Sequence, residues 1–237
     1  MNNRAQFLRS IVLRSIVPAC VASGLLLAAA TVQAAALAPF NARYQASYMG
    51  MKADGHMSLA REGEHWKYQL TVRNQLADLT QTTVFDEHQG RLRPLSSSDR
   101  TVMLIKRKSV QADYDWSAAQ ATWHGDVKPE RRGPVALQPG DMDALLINLA
   151  VVRDVAAGRA LDYRMVDDGR AKAMHYEVAG KEQITISGKP RQATKVVRRD
   201  DKRETVAWIV PGMPVPARIL QREDGKDTID LTLQSLN

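Results

Sequence analysis

The chain has 237 residues and a formal net charge of +7, and its single cysteine, Cys20, falls in the first 34 residues. Those 34 residues also hold Arg4, Arg9 and Arg14 and no acid, so the remainder carries +4 and no thiol. Disulfides, cysteine nucleophiles and thiolate metal sites are thereby excluded from residues 35–237, and no nucleic-acid partner is expected from bases this dispersed.

Residues 1–34 read as a cleavable secretory signal. A basic start is followed by an apolar run over residues 16–32, centred on Leu25 to Ala30, and then by Val32-Gln33-Ala34, a small-x-small site. The cut is placed after Ala34, with Ala36 as a neighbouring option. Two rival readings are an uncut membrane anchor and lipidation at Cys20. Pro18, Ser23 and Gly24 interrupt the run against the first; Pro18 also fits the second poorly. The protein is therefore expected outside the cytoplasm, with one domain over 35–237 and no stable transmembrane anchor.

Period-two alternation governs most of that domain. Phe40, Ala42, Tyr44, Ala46 and Tyr48 share one face of a first strand, and Trp66, Tyr68, Leu70 and Val72 share one after a turn at Glu62-Gly63-Glu64. Val102 and Leu104, then Val110, Ala112 and Tyr114, predict a pair joined near Lys106-Arg107-Lys108. Trp116 and Trp123 flank a hairpin around Ser117 to Gln120. Leu161, Tyr163 and Met165 alternate up to Asp167-Asp168-Gly169, and Met174, Tyr176 and Val178 alternate after it. Glu223-Asp224-Gly225-Lys226 repeats this Asp-Gly device, which supplies two adjacent positive φ angles to a hairpin. Strands are also predicted over 183–187, 194–198 and 205–210.

One segment breaks the rhythm. After Pro139-Gly140, Asp141 can cap a helix. Met142, Leu145, Leu146, Leu149, Val152 and Ala156 recur at helical spacing, and Gly158 can end it. A helix over about 142–157 has only the sheet to bury its apolar stripe against. The fold class is therefore mainly β: a strongly curved antiparallel sheet or incomplete barrel with one covering helix.

Pro39-Phe40-x-x-x-Tyr44, Gly90-Arg91-Leu92-Arg93-Pro94, Asp115-Trp116, the Asp141 to Arg153 segment, Gly180-Lys181-Glu182, Gly188, Ala207-Trp208-Ile209 and Pro214 to Ile219 occur in an order that resembles the exported bacterial family known as domain of unknown function 3108. Val210-Pro211-Gly212 departs from that pattern, in which the turn carries an acid. The resemblance implies a periplasmic protein with a curved antiparallel sheet and supplies no catalytic residues.

The chemistry-bearing motifs are sparse. There is no Gly-x-Ser-x-Gly elbow, His-Glu-x-x-His pair, phosphate loop or dinucleotide fingerprint. Ser96-Ser97-Ser98 reads as a polar loop. Asp86-Glu87-His88 alternate in direction along a strand end and do not converge on one atom. His175 with Glu177, and His56 and Met57 with Met49 and Met51, have ligand types but lack partners from other segments, and the methionines also fit a core. No cofactor or metal is expected.

The ligand-binding candidates are the aromatics Tyr44, Tyr48, Trp66, Tyr68 and Trp208, which either fill the core or line a groove for an apolar or glycan ligand. A non-catalytic envelope protein that binds or carries a lipid, lipoprotein or polysaccharide is the leading expectation. A scaffold docking on another envelope protein by a sheet edge is the second. A cell-envelope glycan hydrolase with two facing carboxylates in a cleft is the third.

Overall fold

The structure is a computed structural model describing residues 36–48 and 50–237, so the leader over 1–34, Cys20 and Met49 lie outside the described residues. Among the described residues, fifteen strands and one α-helix follow in chain order. The first strands are β1 (Phe40–Tyr48), β2 (Met51–Glu62), β3 (His65–Arg73), β4 (Ala77–His88) and β5 (Arg91–Met103). They are followed by β6 (Lys106–Asp115), β7 (Gln120–Gly125), β8 (Val135–Ala136) and the helix α1 (Ala144–Ala156). Then come β9 (Asp162–Asp167), β10 (Arg170–His175), β11 (Glu177–Ile186), β12 (Lys189–Asp200), β13 (Arg203–Ile209), β14 (Arg218–Glu223) and β15 (Lys226–Leu236).

Thirteen of the strands form one sheet in the order β11-β12-β13-β14-β15-β1-β2-β3-β4-β5-β6-β7-β8, and no pairing joins its two ends. Every neighbouring pair is antiparallel, and β9 with β10 forms a separate hairpin. The chain enters the sheet at its middle, and β15 returns to pair with β1, with Tyr44 opposite Leu233 and Ala46 opposite Leu231.

Which face is buried follows from the register. Phe40 pairs with Leu59, Leu59 with Tyr68 and Tyr68 with Thr83, so these residues share one face. That inner face receives α1, because Thr83 donates to Asp143, the residue just before the helix. Laid flat, thirteen strands at ~4.8 Å would span roughly 60 Å, against about 20 Å for a helix of this length. Yet residues of β1–β5, of β11–β15 and of α1 belong to one apolar cluster, so the sheet bends around the helix. A smaller cluster at Tyr114, Ala121, Trp123, Leu137 and Val166 closes the β6–β8 end.

The helix is more deeply placed than a single stripe requires. Leu145, Leu146, Ile147, Leu149, Ala150, Val151 and Val152 are all buried. A helix apolar nearly all round sits within a core rather than upon it. The β9–β10 hairpin packs over the inner face on another side, where Lys172 pairs with Asp200 of β12.

The helix start differs from expectation by two residues. The cap is Asp143, whose carboxylate accepts the Leu146 amide at 2.7 Å. Met142 is not helical; it bridges to Met165, and Asp141 instead pairs with Arg164. Ser96, Ser97 and Ser98 lie within β5 rather than in a loop. The β5–β6 turn falls at Leu104-Ile105, before the basic triplet, with Leu104 at φ 52°. Tyr176 interrupts the strand predicted through it, and β10 ends where β11 begins.

Candidate functional site

The five aromatics do not form a common groove. Tyr44, Trp66 and Tyr68 are buried on the inner face. The Tyr44 hydroxyl donates to the Pro216 carbonyl at 2.8 Å, and the Tyr68 hydroxyl to the Met57 sulfur at 2.8 Å. Phe40 meets Tyr68 edge to face at 6.2 Å, and the Arg61 guanidinium lies 4.0 Å from the centre of the Trp66 ring. Tyr48, at the end of β1, is half-buried.

Trp208 belongs to the opposite face. Ala207 pairs with Ile219 and Ile219 with Leu231, on the side of Ala46; Trp208, the next residue, therefore points away. It is buried there by charged side chains. Its indole N–H donates to Glu182 at 2.7 Å, Arg218 and Lys195 lie over its ring, and Arg218 binds Asp230 through two bonds of 2.9 and 2.7 Å.

Most of the remaining sequence candidates engage other partners. Asp86 binds Arg93, Glu87 binds Arg153, and His88 is exposed. His175, at the end of β10, lies 2.6 Å from Asp162 and 4.0 Å from Glu177, which starts β11, so this expected pair does meet. Among the described residues, no group of three or more His, Cys, Asp or Glu side chains could hold a metal ion.

Two carboxylates are buried at the start of α1. Asp143 accepts from Thr83 at 2.5 Å and from the Leu146 amide, and Asp167 accepts from the Ala144 amide at 3.3 Å and the Asp168 amide at 2.7 Å. Burial, and then the Asp167 charge, push the Asp143 carboxyl up to about 7. Burial, and then Asp99, push Asp167 up to about 6. Both carboxylates face the orphan amides and positive end of the helix dipole. They line neither of the two clefts described below, so their contacts make them part of the helix anchor.

The more open concavity lies at the other end of α1. A cleft of about 450 Å³ opens between the β4–β5 turn, the 138–142 loop, the second half of the helix and the start of β9. Its apolar floor is Leu92, Met142 and Ala150, and Arg91, Arg153, Arg159 and Arg164 reach its walls. Its acids are engaged. Asp141 accepts from the Gln138 amide at 2.7 Å and pairs with Arg164; Asp154 pairs with Arg159 at 2.6 Å and accepts from Tyr163 at 2.9 Å; Asp162 faces His175.

Two arginines have donors to spare. Among the described residues Arg91 has no carboxylate partner and donates only to the Pro139 carbonyl, at 3.3 Å. Arg153 binds Glu87 through Nη2 at 2.8 Å, while its buried Nε has no partner. A buried N–H on a cation without an acceptor costs free energy, and an incoming oxyanion relieves it. Gly140 helps to hold this wall open: its φ is +96°, and a Cβ there would lie 3.2 Å from Arg91 Nη1. A smaller cleft of about 220 Å³ between β10 and β12 is lined by Lys172, His175, Arg198 and Asp200, whose charges largely pair with one another or with Asp162.

The cleft arginines are absent from the residues expected to bind. Each was visible as a single basic residue, Arg153 as the one cation in an apolar helix. Their convergence from four separate segments is a product of the fold.

A family model described as "Protein of unknown function (DUF3108)" matches residues 43–232. No curated protein matches the chain. Among solved structures it is similar to one titled "Crystal structure of MucB", at 12% identity and a TM-score of 0.37. That likeness covers 87% of this chain, which spans only 55% of the other.

Proposed function

The chain belongs to the DUF3108 family, and we propose that it acts outside the cytoplasm as a non-catalytic, envelope-associated binding protein. Its arginine-lined cleft takes the phosphate or carboxylate of an envelope lipid or glycan, and the floor of Leu92, Met142 and Ala150 takes the apolar or ring portion beside it. The observation that carries this reading is the pair of unspent donors, the Arg91 guanidinium and Arg153 Nε, on one cleft. Guanidinium groups match oxyanions in geometry and charge. Export is supported by the leader-like residues 1–34. Binding rather than hydrolysis is supported by the cleft acids, each of which is held by a basic or phenolic partner.

Native mass spectrometry of protein purified from its own compartment, followed by solvent extraction, tests the proposal. The expected result is a co-purifying anionic lipid or glycan. Protein that emerges empty, with a melting temperature unmoved by digalacturonate or glycerol 3-phosphate, would contradict it.

Docking through a sheet edge has one observation in its favour, the position of β11 at the end of the sheet. The register shift between Val178 and Gly180, and the exposed Lys181 and Glu182, are features that blunt edge strands, so this reading has less support.

A further inference from the structure

The β5–β6 hairpin ends in apolar residues that nothing among the described residues covers. Ile105 is 95% exposed, Leu104 73% and Met103 37%. Turns are normally built from Gly, Asn, Asp or Pro, and two large aliphatic residues at a tip need a reason. The neighbouring β3–β4 turn adds Leu76, 46% exposed. The two turns are fastened together, since the Leu104 amide donates to the Leu76 carbonyl at 2.9 Å. Asn74 Oδ1 accepts the Leu76 and Ala77 amides at 2.8 Å each and fixes the second turn.

Cations ring this tip. Lys106 pairs across the hairpin with Met103 and Lys108 with Thr101, so both lysines project from one face. Arg107 lies opposite Val102, on the other face, with Arg100 two residues farther back. All four are exposed, and none makes an ion pair among the described residues. At about 3.3 Å per residue, they sit within roughly 15 Å of the apolar tip.

We infer that this double tip docks on a membrane surface that contains anionic lipid, with Leu76, Leu104 and Ile105 entering the interface and Lys106, Arg107 and Lys108 meeting the headgroups. Apolar side chains enter to the acyl boundary while flanking bases snorkel to the phosphates. A protein partner fits less well: the centres of protein interfaces are depleted of lysine, and this patch is a small projection crowded by cations. The arginine cleft opens beside Arg91, at the other end of β5, roughly 40 Å away along the strand. The two features are therefore independent, and a protein seated on its tip leaves the cleft free.

Vesicle co-sedimentation at low and high salt tests the inference. The purified protein is expected to pellet with phosphatidylcholine vesicles that contain phosphatidylglycerol, and not with phosphatidylcholine alone. Leu104→Ser with Ile105→Ser, both exposed and so neutral to folding, is expected to weaken binding at least about tenfold. Replacing Lys106, Arg107 and Lys108 with Gln is expected to do the same and to remove the salt dependence. The inference is overturned if the protein stays in the supernatant with anionic vesicles, or if the Ser variant pellets as well as the parent.

Discussion

Tyr44 lies across the strand pair from Gly55, and a Cβ built on that glycine would stand 2.9 Å from the tyrosine's own Cβ and 3.2 Å from Leu231 Cδ2. The missing side chain is the space into which β1, β2 and β15 close around the buried ring. Gly55→Ala is expected to lower stability by about 1–3 kcal/mol, the usual cost of overpacking a tight core. Urea denaturation checks it; a variant with the parent's midpoint would show that the inner face is looser than described.

Asp143 joins the helix to the sheet, with one oxygen on the Leu146 amide and the other on Thr83, 60 residues away in sequence. Its carboxyl is raised to about 7 and that of Asp167 to about 6, so the folded protein holds protons that the unfolded chain releases near pH 4. Between those limits the folded state binds more protons, and stability falls as pH rises. The melting temperature is expected to be higher at pH 5 than at pH 8, with the Asp143 contribution on the order of 2–4 kcal/mol. Asp143→Asn keeps an acceptor for Leu146 and should flatten much of the slope; Asp143→Ala should cost about 1–3 kcal/mol at pH 5 through the lost cap and hydrogen bond. A slope that Asp143→Asn leaves intact would locate the titration elsewhere.

On the outer face, the Arg218 guanidinium covers the Trp208 ring at 4.9 Å and is itself held by Asp230. Removing it uncovers the indole. Arg218→Ala is expected to raise acrylamide quenching of tryptophan fluorescence and to destabilise by about 1–2 kcal/mol, through lost packing and a weakened ion network. Unchanged quenching would mean that other side chains bury this tryptophan.

Much of the architecture is legible in the sequence because alternation and turn chemistry are local. Asp168-Gly169 and Asp224-Gly225 take the positive φ angles their hairpins need, at 48° and 69°, and 49° and 75°. The helix follows from its apolar spacing, and Gly158 ends it at φ 62°. What misleads is the pair of nearby aspartates: Asp141 and Asp143 are equivalent as caps, and the Gln138 amide together with the distant Arg164 draws the first away. Trp208 misleads for a related reason. Val206 to Val210 are buried without a break, so alternation cannot say which face the indole takes. Leu104-Ile105 has no turn signature, which shifts the expected hairpin by two residues. The cleft is least legible, since residues 91, 153 and 164 meet only after the sheet has bent around the helix.

The central claim is that Arg91 and Arg153 hold an oxyanion over the cleft floor, and calorimetric titration with glycerol 3-phosphate and with digalacturonate tests it most directly. The parent protein is expected to bind at least one of them, and Arg91→Glu, at an exposed position, is expected to weaken that binding more than about tenfold with an unchanged melting temperature. A parent that binds neither, or an Arg91→Glu variant that binds as tightly as the parent, would contradict the account.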